Sequence, residues 1–217
     1  MTSGNPNSRT RHVVGPTLVL TGICIFALFI HGRPVQKMIA FAALCAAAAA
    51  ISFSISDVQS LLKYLGLSEF SKKIGVYSLV GLSLGIIFAL WYRSITHVTF
   101  LPQTLTVIAV IAPIIGITEE LLFRGFLQGK LSSSNIYAAI ILSTMGHSLY
   151  KYLVLRSLPI DIGIDFLSLV VFTFIGGLVC GVLRALSKSI IPACVTHGIF
   201  DILVYGGLST WPIWVWN

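Results

Sequence analysis

Apolar residues in this chain run on rather than alternate with polar ones. Seven stretches of 18 to 25 residues are free or nearly free of charge: 13–30, 38–55, 74–92, 103–127, 135–152, 163–183 and 189–207. A hydrocarbon layer of about 30 Å takes about 20 helical residues, so each stretch predicts one membrane-spanning helix. Between the second and third, Val58, Leu61, Leu62 and Leu65 recur at the spacing of a single helical face, which predicts an interfacial helix within 56–73. Ser56 followed three residues later by Gln59 has the form of a capping box to start it. Trp211, Trp214 and Trp216 close the chain in a tail, 208–217, suited to the headgroup layer.

Composition sharpens this to an all-α, polytopic transmembrane bundle. Of 217 residues 56% are apolar and only 10% charged, with a mean hydropathy of +0.95, far from the quarter charged residues of soluble domains. The net charge of +7 does not indicate nucleic acid, because the Lys and Arg residues sit in short gaps between apolar runs, with no basic stripe. Counted outside the spans with the N-terminus inside, Arg9, Arg11, Lys63, Lys72, Lys73, Lys130, Arg184 and Lys188 lie inside. Arg33, Lys37, Arg93, Lys151 and Arg156 lie outside, a modest bias toward an inner N-terminus. The polar lead 1–12 and the first apolar run resemble a signal sequence in outline, but a run of this length without an A-x-A site is expected to stay as a span. Cys24, Cys45, Cys180 and Cys194 all lie in apolar stretches without a CxxC pair and read as small core residues. Gly81/Gly85 and Gly177/Gly181 have the GxxxG spacing of closely packed helices.

Against this background the polar residues inside spans stand out, since each charge there costs at least about 2.5–3.5 kcal/mol. The fourth span holds Glu119, Glu120 and Arg124, the fifth His147, the seventh His197 and Asp201. Glu120 and Arg124 are spaced i, i+4 in the favourable order for an ion pair, which leaves Glu119 without an obvious partner on its own helix. At 1.5 Å per residue, Glu119, His147, His197 and Asp201 fall within about 6 Å of one another in depth, so they can converge. Asp165 belongs at the mouth of the sixth span, and His12, His31 and His97 fall at span ends or in loops, with no role assigned. An incompletely paired buried carboxylate is a candidate general base. Two His and one Glu (Glu119, His147, His197) would also suffice for a catalytic zinc, although no HExxH pair is present and no Cys is near.

Glu119-Glu120-Leu121-Leu122-Phe123-Arg124 has the form EExxxR. With a later membrane His and an HxxxD pair, over residues 103–206, it resembles the CPBP family, which contains the Rce1-type CAAX prenyl endopeptidases and bacterial relatives once called abortive-infection or bacteriocin self-immunity proteins. The resemblance implies an intramembrane endopeptidase core at 103–207, following N-terminal helices at 13–102. It implies that Glu119 activates the hydrolytic water with help from His147. Glu120 and Arg124 would form a structural, substrate-orienting pair, and His197 with Asp201 would hold the developing oxyanion. The family's FxxxH has Ser143 in the Phe position, which bears on the shape of the pocket, and Asp201 is a poor oxyanion donor when ionised, so it would orient His197 or carry a proton. No cofactor is expected, with zinc as the alternative. The expected partners are the bilayer and a membrane-associated protein or peptide substrate, lipidated or not. The expected location is a prokaryotic cytoplasmic membrane. A non-catalytic immunity or binding protein, and a proton-relay transporter, are the competing readings. The presence of Glu119, His147, His197 and Asp201 together disfavours the first, and the lack of visible inverted repeats the second.

Overall fold

The computed structural model describes residues 6–55, 57–68, 71–159 and 165–210, with side chains from residue 14 onward. Trp211, Trp214, Trp216 and Ser56 lie outside the described residues. Among the described residues every regular element is a helix: α1 Pro6–Phe29, α2 Pro34–Ser54, α3 Val58–Leu65, α4 Lys72–Ile95, α5 Ile108–Glu120, α6 Gln128–Leu131, α7 Ile136–Arg156, α8 Phe166–Ser187 and α9 Ile191–Tyr205. A π-helical stretch, Leu121–Leu127, joins α5 to α6, so 108–131 form one continuous rod. Each predicted span falls on a helix. Pro34–Ser54, Lys72–Ile95 and Phe166–Ser187 are long and apolar enough to cross a membrane by length and composition, and Val14–Phe29 and Ile191–Tyr205 are shorter apolar helices. The polar lead is helical from Pro6, earlier than the apolar pattern predicted.

The helices pack in pairs, α1 on α2, α4 and α5 on α9, and α7 on α8. Small residues bring α4 and α9 together. A Cβ added to Gly81 would stand 2.7 Å from the Pro192 carbonyl oxygen, and one on Gly85 would stand 2.5 Å from that of Thr196. The first GxxxG pair is thus the seat of α9, the helix that carries His197. The backbone cannot yield as a flexible side chain would, so Gly85→Leu is expected to lower stability by at least the ~1–3 kcal/mol typical of overpacking. A thermal melt of the detergent-solubilised variant checks this. Outside the packed seams the surface is apolar, with Val35, Met38, Phe41, Phe53, Leu79, Leu142 and Leu167 all exposed, as suits side chains that meet lipid.

The predicted interfacial helix forms at Val58–Leu65, shorter than 56–73. Its N-terminus is capped by Asp57, whose side chain accepts from the Ser60 amide at 2.7 Å, and it ends at Gly66 in the left-handed conformation. Val58 and Leu61 stay exposed, while the other face is held by the bundle. Arg184 Nη2 donates to the Tyr64 carbonyl at 2.7 Å, Lys130 Nζ lies 4.3 Å from the centre of the Tyr64 ring, and the Ile190 amide donates to the Leu65 carbonyl. Lys130 also donates to the Ser54 carbonyl at 2.6 Å. Lys130 and Arg184, read from the sequence as loop charges, therefore close this end of the bundle. Arg93 at the other end is likewise buried, donating to the carbonyls of Thr99 at 2.6 Å and Leu203 at 2.8 Å, where it ties the segment after α4 to the end of α9.

Candidate active site

The rod 108–131 places Glu119 and Glu120 at the last turn of α5 and Arg124 in the π stretch that follows. A π turn adds a residue per turn and widens the helix, a device frequent at functional sites. Here it turns Phe123, Arg124, Gly125, Phe126 and Leu127 all into the protein. Arg124 is fully buried and sits 3.3 Å from Glu120 Oε1, so the predicted ion pair forms. The same guanidinium nitrogen also lies 2.9 Å from His147 Nδ1 on α7. A guanidinium can only donate, so His147 Nδ1 accepts and the ring carries its proton on Nε2. That Nε2 lies 3.0 Å from Glu119 Oε2 and donates to it.

Glu119 is not the unpartnered carboxylate that its own helix suggested. Besides His147 it receives Lys151 Nζ on its other oxygen, Oε1, at 2.6 Å, and His197 Nε2 stands 3.9 Å from Oε2. His197 is held by its other ring nitrogen, with Nδ1 2.9 Å from Glu120 Oε1. Asp201 Oδ2 lies 3.8 Å from His197 Nε2, too far for a hydrogen bond. The residue that orients His197 is therefore Glu120, and Asp201 faces the ring from the side of the gap. Gly116, one turn before the Glu pair, is what lets α9 come this close. A Cβ there would meet the Asp201 carboxylate and stand 2.9 Å from the His197 ring.

All six predicted site residues, Glu119, Glu120, Arg124, His147, His197 and Asp201, thus meet in one cluster, buried except for His197. Ser143, in the family's Phe position, is buried and donates to its own helix at the Ile140 carbonyl, so it lends no ring to the pocket. Phe123 of the π stretch supplies one instead, stacked on His147 with centroids 4.7 Å apart. Lys151 was missed, having been counted among the outer loop cations. It lies within α7, four residues after His147, a spacing that puts both on one face and was visible in the sequence.

The cluster forms the floor of a cavity of about 170 Å³. Aromatic rings line it as well: Tyr92, Phe172 and Phe200 meet pairwise with centroids 5.5–5.8 Å apart, and Tyr205 packs on Phe200. Such a chamber has room for several waters beside the carboxylate and for an apolar group against the rings. Chemically, the arrangement offers a base held by donors on both oxygens, a neutral imidazole at its side, and a second imidazole turned toward the same gap.

Residues 101–203, just under half of the chain, match the family model Rce1-like, described as type II CAAX prenyl endopeptidase Rce1-like. No curated protein and no solved structure matches the chain. The matched residues include the whole polar cluster, the π stretch and most of the cavity wall. With the apolar helices around them, they make this an integral membrane protein whose segment 101–203 is similar to the Rce1-like CAAX prenyl endopeptidases.

Proposed function

We propose that the cavity hydrolyses a peptide bond of a membrane-associated protein or peptide, with Glu119 as the general base. The observation that carries this reading is the meeting of His147 Nε2, at 3.0 Å, and His197 Nε2, at 3.9 Å, on the single oxygen Oε2 of Glu119. A water beside Oε2 gives a proton to the carboxylate as its oxygen attacks the scissile carbonyl carbon. His147, fixed by Arg124, keeps the carboxylate and the water aligned. The oxyanion forms on the His197 side, where the ring with protons on both nitrogens donates from Nε2. The amide C–N bond then breaks and Glu119 returns its proton to the leaving amine, yielding a carboxylic acid and an amine. Asp201, 3.8 Å from the same Nε2, holds the ring's charge as the oxyanion forms.

What supports a metal-free version is the donor set. Zinc on Glu119, His147 and His197 would need a lone pair from His147, yet one nitrogen of that ring accepts from Arg124 and the other donates to Glu119. The ion would also stand beside the Lys151 ammonium. Hydrolysis by the purified protein is therefore expected to survive treatment with 1,10-phenanthroline. Loss of activity on chelation, restored by added zinc, would reverse this assignment.

The test of the reading itself is a comparison of membrane-protein termini in native cells carrying wild type or Glu119→Gln at equal expression. New termini present only with the wild type establish proteolysis. Identical termini, in cells where both chains confer the same phenotype, favour a non-catalytic immunity or binding protein. The aromatic rings that line the same cavity suit an apolar or lipidated segment of the substrate. The more basic end of the bundle, which holds Lys63, Lys72, Lys73, Lys130, Arg184 and Lys188, fits an N-terminus inside a prokaryotic cytoplasmic membrane.

A further inference from the structure

We infer that Lys151, which belongs to none of the three motifs, is a positioning residue of this site: it takes one oxygen of Glu119 and so leaves the other as the base. The inference rests on the hydrolytic reading above. Lys151 Nζ lies 2.6 Å from Oε1, and His147 Nε2 lies 3.0 Å from Oε2. The two donors come from successive turns of α7, one for each oxygen. A carboxylate gripped at both ends by one rigid helix cannot rotate about its terminal torsion, which is otherwise broad and soft. The attacking water is thereby confined to the Oε2 side, where His197 and Asp201 stand.

A neutral donor would fix the geometry as well, but this one adds charge. Around Glu119 the charged side chains besides Lys151 are Glu120 and Arg124 on its own rod, His147 on α7, and His197 and Asp201 on α9, with the phenols of Tyr92, Tyr150 and Tyr205 and the Cys180 thiol also lining the cavity. Arg124 is engaged by Glu120 and by His147 Nδ1 and makes no hydrogen bond to Glu119. Lys151 is thus the ammonium or guanidinium hydrogen-bonded to the base, with the His197 ring farther off at 3.9 Å. An uncompensated carboxylate at this depth would be expensive. The Lys151 side chain is 22% exposed against 7% for Glu119, so it reaches the base from the open side of the cavity. A substrate entering there would strip water from the Lys151–Glu119 contact and strengthen it.

The test is a series at one position, assayed with a quenched fluorescent peptide ending in a prenylated CAAX sequence. Lys151→Met is expected to lower kcat by about 10²-fold, the scale of a misplaced catalytic group, with KM changed little. Lys151→Arg, which keeps charge and reach, is expected to recover most of that loss, and Lys151→Gln, which keeps a donor without charge, is not. A rise in KM at unchanged kcat, or equal rescue by Gln and Arg, would overturn the assignment. A second measurement needs no turnover. In a double-mutant cycle of melting temperatures, Glu119→Gln and Lys151→Met are expected to be strongly non-additive, whereas additive shifts would break the pairing itself. A coupled cycle in a wild type that cuts no probe would overturn the hydrolytic reading and the catalytic use of the pair, leaving only the ion pair.

Discussion

Glu119→Gln is expected to reduce hydrolysis by roughly 10²- to 10⁴-fold, the range that a general base contributes, while leaving the protein folded. The substitution keeps the volume and one acceptor oxygen in a site packed around them, so the helices have no reason to move. Its two donors differ in what they lose. His147 stays fixed through Arg124 and the stacked Phe123. Lys151, partly exposed on a flexible stem, can turn its ammonium toward water in the cavity. Activity against the fluorescent peptide, read beside a thermal melt of the same preparation, checks both halves of the expectation. A variant that keeps its turnover would remove Glu119 from the chemistry.

Glu120→Gln is expected to do the reverse damage, to the fold first. Arg124 is fully buried and Glu120 is its one carboxylate partner among the described residues, so the variant strands a guanidinium in the protein interior. Breaking a buried pair from one side costs about 3–5 kcal/mol, against about 0–1 kcal/mol for a surface pair. The same oxygen holds His197 Nδ1, so any folded remainder should also have a loosened His197. Yield and melting temperature in detergent measure the first effect, and kcat of the surviving fraction the second. If Glu119→Gln unfolded the protein and Glu120→Gln merely silenced it, the roles within the Glu pair would be exchanged.

The cluster was legible because hydrocarbon makes charge conspicuous. Glu119, Glu120, Arg124, His147, His197 and Asp201 each interrupt an apolar run, and helical rise alone brought Glu119, His147, His197 and Asp201 to one depth. The cations near span ends were harder to read. Lys151 and Arg93 sit where loops were expected to begin, and a Lys there most often anchors a helix to headgroups, so position along the chain cannot distinguish an anchor from a counter-ion. Spacing could have done so for Lys151, four residues beyond His147. Nothing in the linear pattern distinguishes a π turn from an α turn in Leu121–Leu127, since both bury apolar side chains and differ only in which carbonyl each amide finds. Nor could the sequence show that Phe123 would supply the ring expected at position 143, because the two belong to different helices.

The π stretch has a further consequence for how such a chain can change. One surplus residue wound into an α-helix would turn everything after it by about 100° relative to everything before, whereas a π turn takes it up in a wider turn. The catalytic half of the rod, ending at Glu120, and the half that meets α3 and the end of the bundle, from Gln128 onward, therefore keep their facing across the π stretch. Each keeps its own partners, and the seven residues between them absorb the mismatch. A single-residue deletion in 121–127 would let the stretch relax toward α-helix with both halves still facing their neighbours, whereas the same deletion within 108–120 would turn one half away from its partners, which makes this short segment the most tolerant of a one-residue loss in the whole rod.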